Sequence, residues 1–364
     1  MLHIRFRREM RILSNQDIEN VLTMDDCLSV LEPAFADLAR GEASNRPRTH
    51  TYTPLEPHHY YLFKSMDGSL PRFGVHGLRL SSDHLAEVTE NGLRRRDKLP
   101  MAPGGKYLGL VLLFSIETLE LLAIMQDGYL QKMRVGATSG LASKYLARPD
   151  SHTAGLIGTG WQADAQATAL DAVHDLREIR VFSPTPGHSE IFCEKVQPLV
   201  KATLSPVKSP RETVVGCDIV ACATNSLDPV FEGSWLVDGQ HVNSVQRGEL
   251  DNTTHDRASV IATRAKEKSL HFSGGAISDE VMQRGDWKQE WDGKIQELGK
   301  IMIGESPGRT SSDQITLFGG SGTGPSSGLG IQFAAVGHII YQRACEHGLE
   351  HEIPSDWFLE DVHP

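Results

Sequence analysis

The sequence predicts an α/β protein with a parallel-sheet domain in its middle. From residue 151 onward apolar strands alternate with helices, and in AGLIGTGWQADAQATA, 154–169, a glycine turn joins an apolar strand to an alanine-rich helix. The 364 residues are enough for two domains, and 39% apolar against 23% charged residues suits a globular chain with a sizeable core.

Residues 1–9 read as an appendage, and regular patterning begins at Met10. Ser14 and Thr23 are N-cap candidates, each with an aspartate three residues on. Leu28, Leu31, Phe35 and Leu38 recur at helical spacing up to a stop at Gly41, and Pro33 inside that helix is expected to kink or shorten it. Residues 46–82 read as strands and turns. The runs 108–116 and 119–125, split by Glu117-Thr118, form a buried hairpin, with Asp127-Gly128 a further turn. A helix over 130–146 carries Gly136, Ala137, Gly140 and Ala142, small residues that suit close packing on another backbone. After Arg148-Pro149-Asp150 come strands at TAGLIG, 178–182, 218–224, 241–245 and 259–264, with helices over 162–173 and 189–199 between the first of them. The segment 265–300 is assigned to the far edge of the parallel-sheet domain, and the apolar helix over 328–347 returns to the first domain.

Several function classes are excluded at this level. The net charge is −11, and the basic runs Arg94-Arg95-Arg96 and Arg5, Arg7, Arg8 are too short to track a nucleic-acid backbone. Five scattered cysteines without a CxxC read as free thiols in a reducing compartment. No HExxH occurs among sixteen histidines, and adjacent His58-His59 would face opposite ways on a strand, so no bound metal is expected. No apolar run is long enough to span a membrane and no signal-peptide core opens the chain, so a cytoplasmic location is expected.

GTGWQA places G-x-G-x-x-A at Gly158, Gly160 and Ala163. The first glycine permits a tight turn, the second lets a pyrophosphate approach the backbone, and the alanine lets the helix pack close on the strand. The motif follows a strand, opens a helix and precedes a second strand, which is the context of a dinucleotide site. That second strand runs into VFSPTPGH, without the carboxylate that usually holds an NAD ribose. NADP is therefore favoured, with NAD the alternative. Candidate cofactor contacts are Gly158, Thr159, Gly160, Gln162, Ala163, Ser183, Thr185, Thr224, Asn225 and Thr138.

KMRVGATSGLASKYLARPDSHTAGLIGTGWQADAQ, DIVACATNSLDPVFEGSWLVDGQHVNSV and IQELGKIMIGESPGRTSSDQITLF together resemble the ornithine cyclodeaminase/μ-crystallin family, over nearly the whole chain from Met10. The resemblance implies a Rossmann domain over 149–325. It also implies an α/β substrate-binding and dimerisation domain made from 10–148 and 326–364, a homodimer, and chemistry at an amino- or imino-acid carbon next to a carboxylate. Arg134 in KMRVGATS matches the family's carboxylate-gripping arginine, which suits a planar guanidinium. Arg48, beside Arg46 in NRPRTHTY, matches a second arginine facing the substrate. The family's pocket lysine falls at Arg79 in GVHGLRLSS, with Lys64 as competitor.

One departure stands out. Cyclodeaminases carry an aspartate in the loop after the strand matching HVNSV, and VNSVQRGELD has none there. Glu249 is the replacement candidate and His76 a candidate proton donor. The reading is an NAD(P)-dependent oxidoreductase that reduces an imino (ketimine) acid to an amino acid or runs the reverse, with a small amino or imino acid as partner. The alternatives are an ornithine cyclodeaminase-type lyase using Glu249, and a non-catalytic protein that binds NADPH and a small ligand.

Overall fold

The computed structural model describes residues 9–90, 92–245, 248–267, 269–273, 289–319, 328–349 and 351–354. Two sheets organise them. The first contains β1 (Glu9–Leu13), β2 (Ser44–Asn45), β3 (Thr49–Glu56), β4 (His59–Leu70), β5 (Val75–Glu90), β6 (Leu93–Leu99), β7 (Leu108–Ser115) and β8 (Leu121–Gln126). The second contains β9 (Thr153–Ile157), β10 (Glu178–Phe182), β11 (Thr203–Pro206), β12 (Ile219–Cys222), β13 (His241–Ser244) and β14 (Val260–Thr263). The chain then returns to the first sheet with β15 (Leu270–Ser273). It adds β16 (Ile295–Glu297) and β17 (Thr316–Gly319) to the second and closes with β18 (Glu352–Pro354) on the first.

The first sheet runs β15-β3-β4-β5-β7-β8-β1-β18, with β2 on β4 and β6 on β5. Pleat alternation gives it two faces. Along β5, Val75, Gly77, Arg79, Ser81 and Asp83 are buried while His76, Leu78, Leu80 and Ser82 are half-buried on the other side. The inner face is covered by the last helix, α9 (Gly330–Glu346), which lies so close that a Cβ at Gly68 or Gly77 would come within 2.6 Å of its backbone nitrogens. The same core takes in α1 (Asn15–Val21) and α2 (Met24–Ala39). Both helices open on capping boxes, Ser14 with Asp17 and Thr23 with Asp26. Pro33 does not shorten α2, which continues to Ala39, because the tertiary contacts of Leu31, Ala34 and Phe35 in the core outweigh one lost helix hydrogen bond.

The second sheet is fully parallel, in the order β11-β10-β9-β12-β13-β17-β14-β16. Its central strands are buried on both faces, which is why they read as continuous apolar runs rather than alternating ones. Helix α3 (Gly128–Leu146) joins the two halves and is buried along most of its length. It packs on α4 (Ala163–Val173), and side chains at Gly136 and Gly140 would run into Ala165 and Ala169 of that helix. A second tie is the β5–β6 arm. Arg94 of β6 accepts from the Leu227 amide at 2.9 Å through its carbonyl and pairs with Asp228 at 2.7 Å. The remaining helices are α5 (His188–Val196), α6 (Pro210–Val214), α7 (Asn252–Arg257) and α8 (Leu298–Met302).

The segment 265–300 is not all far edge: β16 is the outer strand of the parallel sheet, but β15 crosses to pair with β3. Residues 274–288, and 320–327 of the Gly/Ser-rich stretch, lie outside the described residues. Among the described residues no helix is long and apolar enough to cross a membrane, and no group of three or more His, Cys, Asp or Glu is placed to hold a metal ion. All five cysteines are free thiols.

Candidate active site

The glycine turn lies at the carboxyl end of β9, where the sheet order reverses between β9 and β12, the usual ligand crevice of an open α/β sheet. Gly158 has φ 109°, a backbone region that disfavours side chains, and a Cβ there would strike the Ala223 carbonyl. At Gly160 a Cβ would meet nothing within 4 Å, so the backbone faces open space. Ala163, fully buried, starts α4, and Gln162 at the cap position offers no side-chain acceptor to the helix amides. Its Oε1 is buried without a hydrogen-bond partner among the described residues. The Ala163 amide turns back to the Gly160 carbonyl at 3.0 Å, and the next amides of the uncapped first turn, beside an open glycine, fit a pyrophosphate.

The other cofactor candidates surround this crevice. After β10, the Thr185 amide donates to Ser183 Oγ at 3.3 Å, and no carboxylate occurs between Phe182 and His188. After β12, the Thr224 amide and hydroxyl donate to Glu249 Oε1 at 2.6 and 2.8 Å, while Ser244 donates to Oε2 at 2.6 Å. Glu249 is fully buried. It ties the loop after β12 to the end of β13. Asn225 donates to Asp97 of β6 at 3.0 Å. Thr138 is buried in α3, donating to the Arg134 carbonyl and accepting from Gln332 Nε2, both at 2.6 Å.

Beside the crevice, the inner face of the first sheet carries a cationic cleft. Arg134 of α3 donates through Nε and Nη2 to Gln131 Oε1 and through Nη1 to Gln332 Oε1, and its guanidinium lies 4.9 Å from the Phe333 ring centroid. Burial, then the field of Arg264, Arg79 and Arg48, pushes its pKa well down from the arginine range. Arg79 of β5 is held by Asp127, with Nη2 2.6 Å from Oδ2. Arg48 is pushed down to about 10 by burial and by Arg79, and its buried Nε makes no hydrogen bond among the described residues. Lys64 of β4 lies 2.6 Å from Asp83, and burial brings its pKa to about 8. Burial opposes ionisation of Asp83, but Lys64 and Lys98 outweigh it and hold the pKa at about 2.

Sequence reasoning missed Arg264, Asp127, Asp83 and Gln332. Arg264 follows the carboxyl end of β14, is buried with its guanidinium 4.9 Å from the Phe318 ring centroid, and is pushed to about 10 by burial and by Arg48. Its place as the last residue of SVIATR was a readable signal, because ligands gather at carboxyl ends of parallel strands.

The model of the ornithine cyclodeaminase/mu-crystallin family matches residues 8–348. The chain belongs to this family. A Δ1-pyrroline-2-carboxylate reductase of Bacillus cereus is 32% identical, covering 94% of this chain and 99% of that protein. An alanine dehydrogenase of Archaeoglobus fulgidus is 28% identical over 92% and 95%. Among solved structures, Thermococcus litoralis Δ1-pyrroline-2-carboxylate reductase in complex with NADH and L-proline superposes with a TM-score of 0.73 at 29% identity, covering 93% of this chain and 98% of that one.

Within this family frame, the structure brings Arg48, Lys64, Arg79 and Arg134 together and leaves His76 out. His76 lies on the opposite face of β5 from Arg79, with Nδ1 2.8 Å from Ser69 Oγ and Nε2 3.9 Å from Asp67. Nor is Glu249 a free acid in the cleft, since both its oxygens accept hydrogen bonds inside the parallel-sheet domain. Gln246 and Arg247, in the loop where the family's aspartate is missing, lie outside the described residues.

Proposed function

We propose that this chain is an NAD(P)-dependent imino-acid reductase, working reversibly as an amino-acid dehydrogenase. The observation that carries the reading is that α3, which bears Arg134, packs on α4 directly after the open Gly160 turn, with Lys132 of α3 2.9 Å from Asp164 of α4, and that the side-chain hydrogen bonds of Arg134 among the described residues go only to neutral amide oxygens. When bound across that turn, the nicotinamide cofactor supplies or accepts the hydride. The Gly158–Gly160 turn and the amides of the first turn of α4 after Ala163 would hold the pyrophosphate, and Thr224 and Asn225 would line the crevice. Arg134 grips the carboxylate next to the C=N carbon through paired donors, fixing which face is presented. Arg79 and Arg48 keep the potential around it positive. An iminium brings its own proton from solution, so reduction needs no protein acid at nitrogen, in keeping with the places of His76 and Glu249.

NADP is the cofactor we favour, because Ser183, Thr185 and His188 present no carboxylate to repel a 2′-phosphate. We also propose a homodimer, closed over the half-buried outer face of the first sheet. The experiment follows oxidation of NADPH and NADH with a panel of imino acids generated from keto acids and ammonia or amines. Turnover is expected, with a higher kcat/KM for NADPH. Arg134→Lys should raise KM at least about tenfold, since an ammonium cannot form the bidentate grip. Ammonia release from ornithine without net cofactor consumption would establish the lyase instead. Tight cofactor binding without any oxidation would establish a binding protein.

A further inference from the structure

We infer that Lys132 is a positioning residue for the cofactor: it masks the Asp164 carboxylate in the first turn of α4 and pins Trp161 in the glycine turn, so that the cofactor's diphosphate can lie there. This rests on the reading above that the cofactor binds at the Gly160 turn, and adds a residue to it. Asp164 is the second residue of α4, next to Ala163, so its own amide is among those that would receive the diphosphate. Alone at a helix start, a carboxylate is favourable, because the free amides there are positive. Once a diphosphate lies on the same amides, two negative groups share one turn and repel each other. Lys132 of α3 removes that conflict. Its Nζ lies 2.9 Å from Asp164 Oδ2, and the two side chains are only 8% and 15% accessible, so water and salt screen the pair little. Asp164 Oδ1 is buried without a hydrogen bond among the described residues, so the counter-charge of this carboxylate is Lys132.

The same ammonium lies 4.4 Å from the Trp161 ring centroid and 4.8 Å from that of Tyr129. Trp161 stands between Gly160 and Gln162 and is 57% exposed. An exposed ring on a turn has several rotamers open to it, and the attraction of its face for a poorly hydrated ammonium selects one. Lys132 thus joins the glycine turn and the start of α4 to α3, two residues before Arg134. A plain staple between α3 and α4 has the same contacts but a different consequence. Cutting a staple at either end does the same harm. Removing a mask exposes the repulsion, whereas removing the masked charge abolishes it. The two ends of the pair therefore give effects of opposite sign on cofactor affinity.

The test is calorimetric titration of the full chain with NADH and NADPH, with urea unfolding midpoints alongside. Lys132→Met is expected to raise Kd about tenfold. Asp164→Asn should bind at least as tightly as the wild type, since it leaves the ammonium beside the diphosphate unopposed. The double variant, which strands no charge, should recover most of the lost affinity. Lys132→Arg keeps the cation and the ring contact and should stay within about threefold of the wild type. The deficit of Lys132→Met should shrink between about 0.05 and about 0.5 M NaCl, as a Coulomb repulsion does. In turnover, the rise belongs to the KM of the cofactor and not to that of the imino acid. Weaker binding in both single variants, or an unchanged Kd in Lys132→Met, overturns the inference and leaves the reductase reading standing. Should Lys132→Met fail to fold, Asp164→Asn decides alone, and weaker binding than the wild type overturns the inference. If the wild type binds neither nucleotide, both readings fall together.

Discussion

Two glycines two residues apart in GTGWQA have different physical roles. Gly158 answers to the fold: its positive φ and the Ala223 carbonyl leave no room for a side chain. At Gly160 the fold makes no such demand, because a Cβ there meets only open space. Gly158→Ala is expected to cost about 1–3 kcal/mol in urea unfolding, through backbone strain. Gly160→Asp should leave the unfolding midpoint nearly unchanged while weakening NADH binding roughly 100-fold, through repulsion between carboxylate and pyrophosphate. Equal effects of the two substitutions on stability would show that this division is mistaken. At the same scale, His76 and Arg79 are three residues apart on one strand, an odd number, so pleat alternation alone separates their faces. That separation was legible in the sequence. The pairing of Arg79 with Asp127 was not, because it depends on β5 meeting the turn that starts α3 across 48 residues of chain.

Among the elements, the loops at the carboxyl ends of β12 and β13 depend on Glu249. Its two oxygens collect one backbone amide and two hydroxyls, from half-buried Thr224 and buried Ser244. Glu249→Ala strands those donors and should destabilise the protein by about 2–4 kcal/mol, measured by urea denaturation. A catalytic acid predicts something else: unchanged stability in Glu249→Gln with kcat lost. Helix α3 shows how an element reads in sequence. Its small residues announced close packing, and Gly136 and Gly140 indeed meet α4. Its other role, presenting Arg134 to the cleft while Thr138 and Gln332 brace it, depends on a helix almost two hundred residues away. The strands β11, β16 and β17 were not read from the sequence: they are three or four residues each, and β11 and β16 are edge strands with only one buried residue apiece. Runs that short carry too little periodicity to separate a strand from a loop.

For the whole molecule, the first sheet has one face under α9 and one face with a contiguous apolar row. Leu80 pairs with Leu110, and Leu78 with Leu112, which continues through Ile124 to Ile12. Ile12 is 39% exposed and the others are half-buried, a large apolar area for a monomer to present. A symmetric pair of subunits joined over this row covers it. Light scattering should give a dimer for the wild type and a monomer for Leu80→Glu. A monomeric wild type would leave this face unexplained and the dimer reading refuted.

The sequence by itself determined the alternation that makes the parallel sheet, the glycine turn at its crevice and the capping boxes of the first helices. All of these are local: periods of two or 3.6, a missing Cβ, or a motif within one strand–turn–helix unit. Only the tertiary structure decided which cations share a cleft, which of them are already neutralised, and that Glu249 serves the loops rather than the cleft. Those outcomes follow from distances between residues far apart in the chain, and Coulomb energies and desolvation depend on such distances, not on order along the backbone.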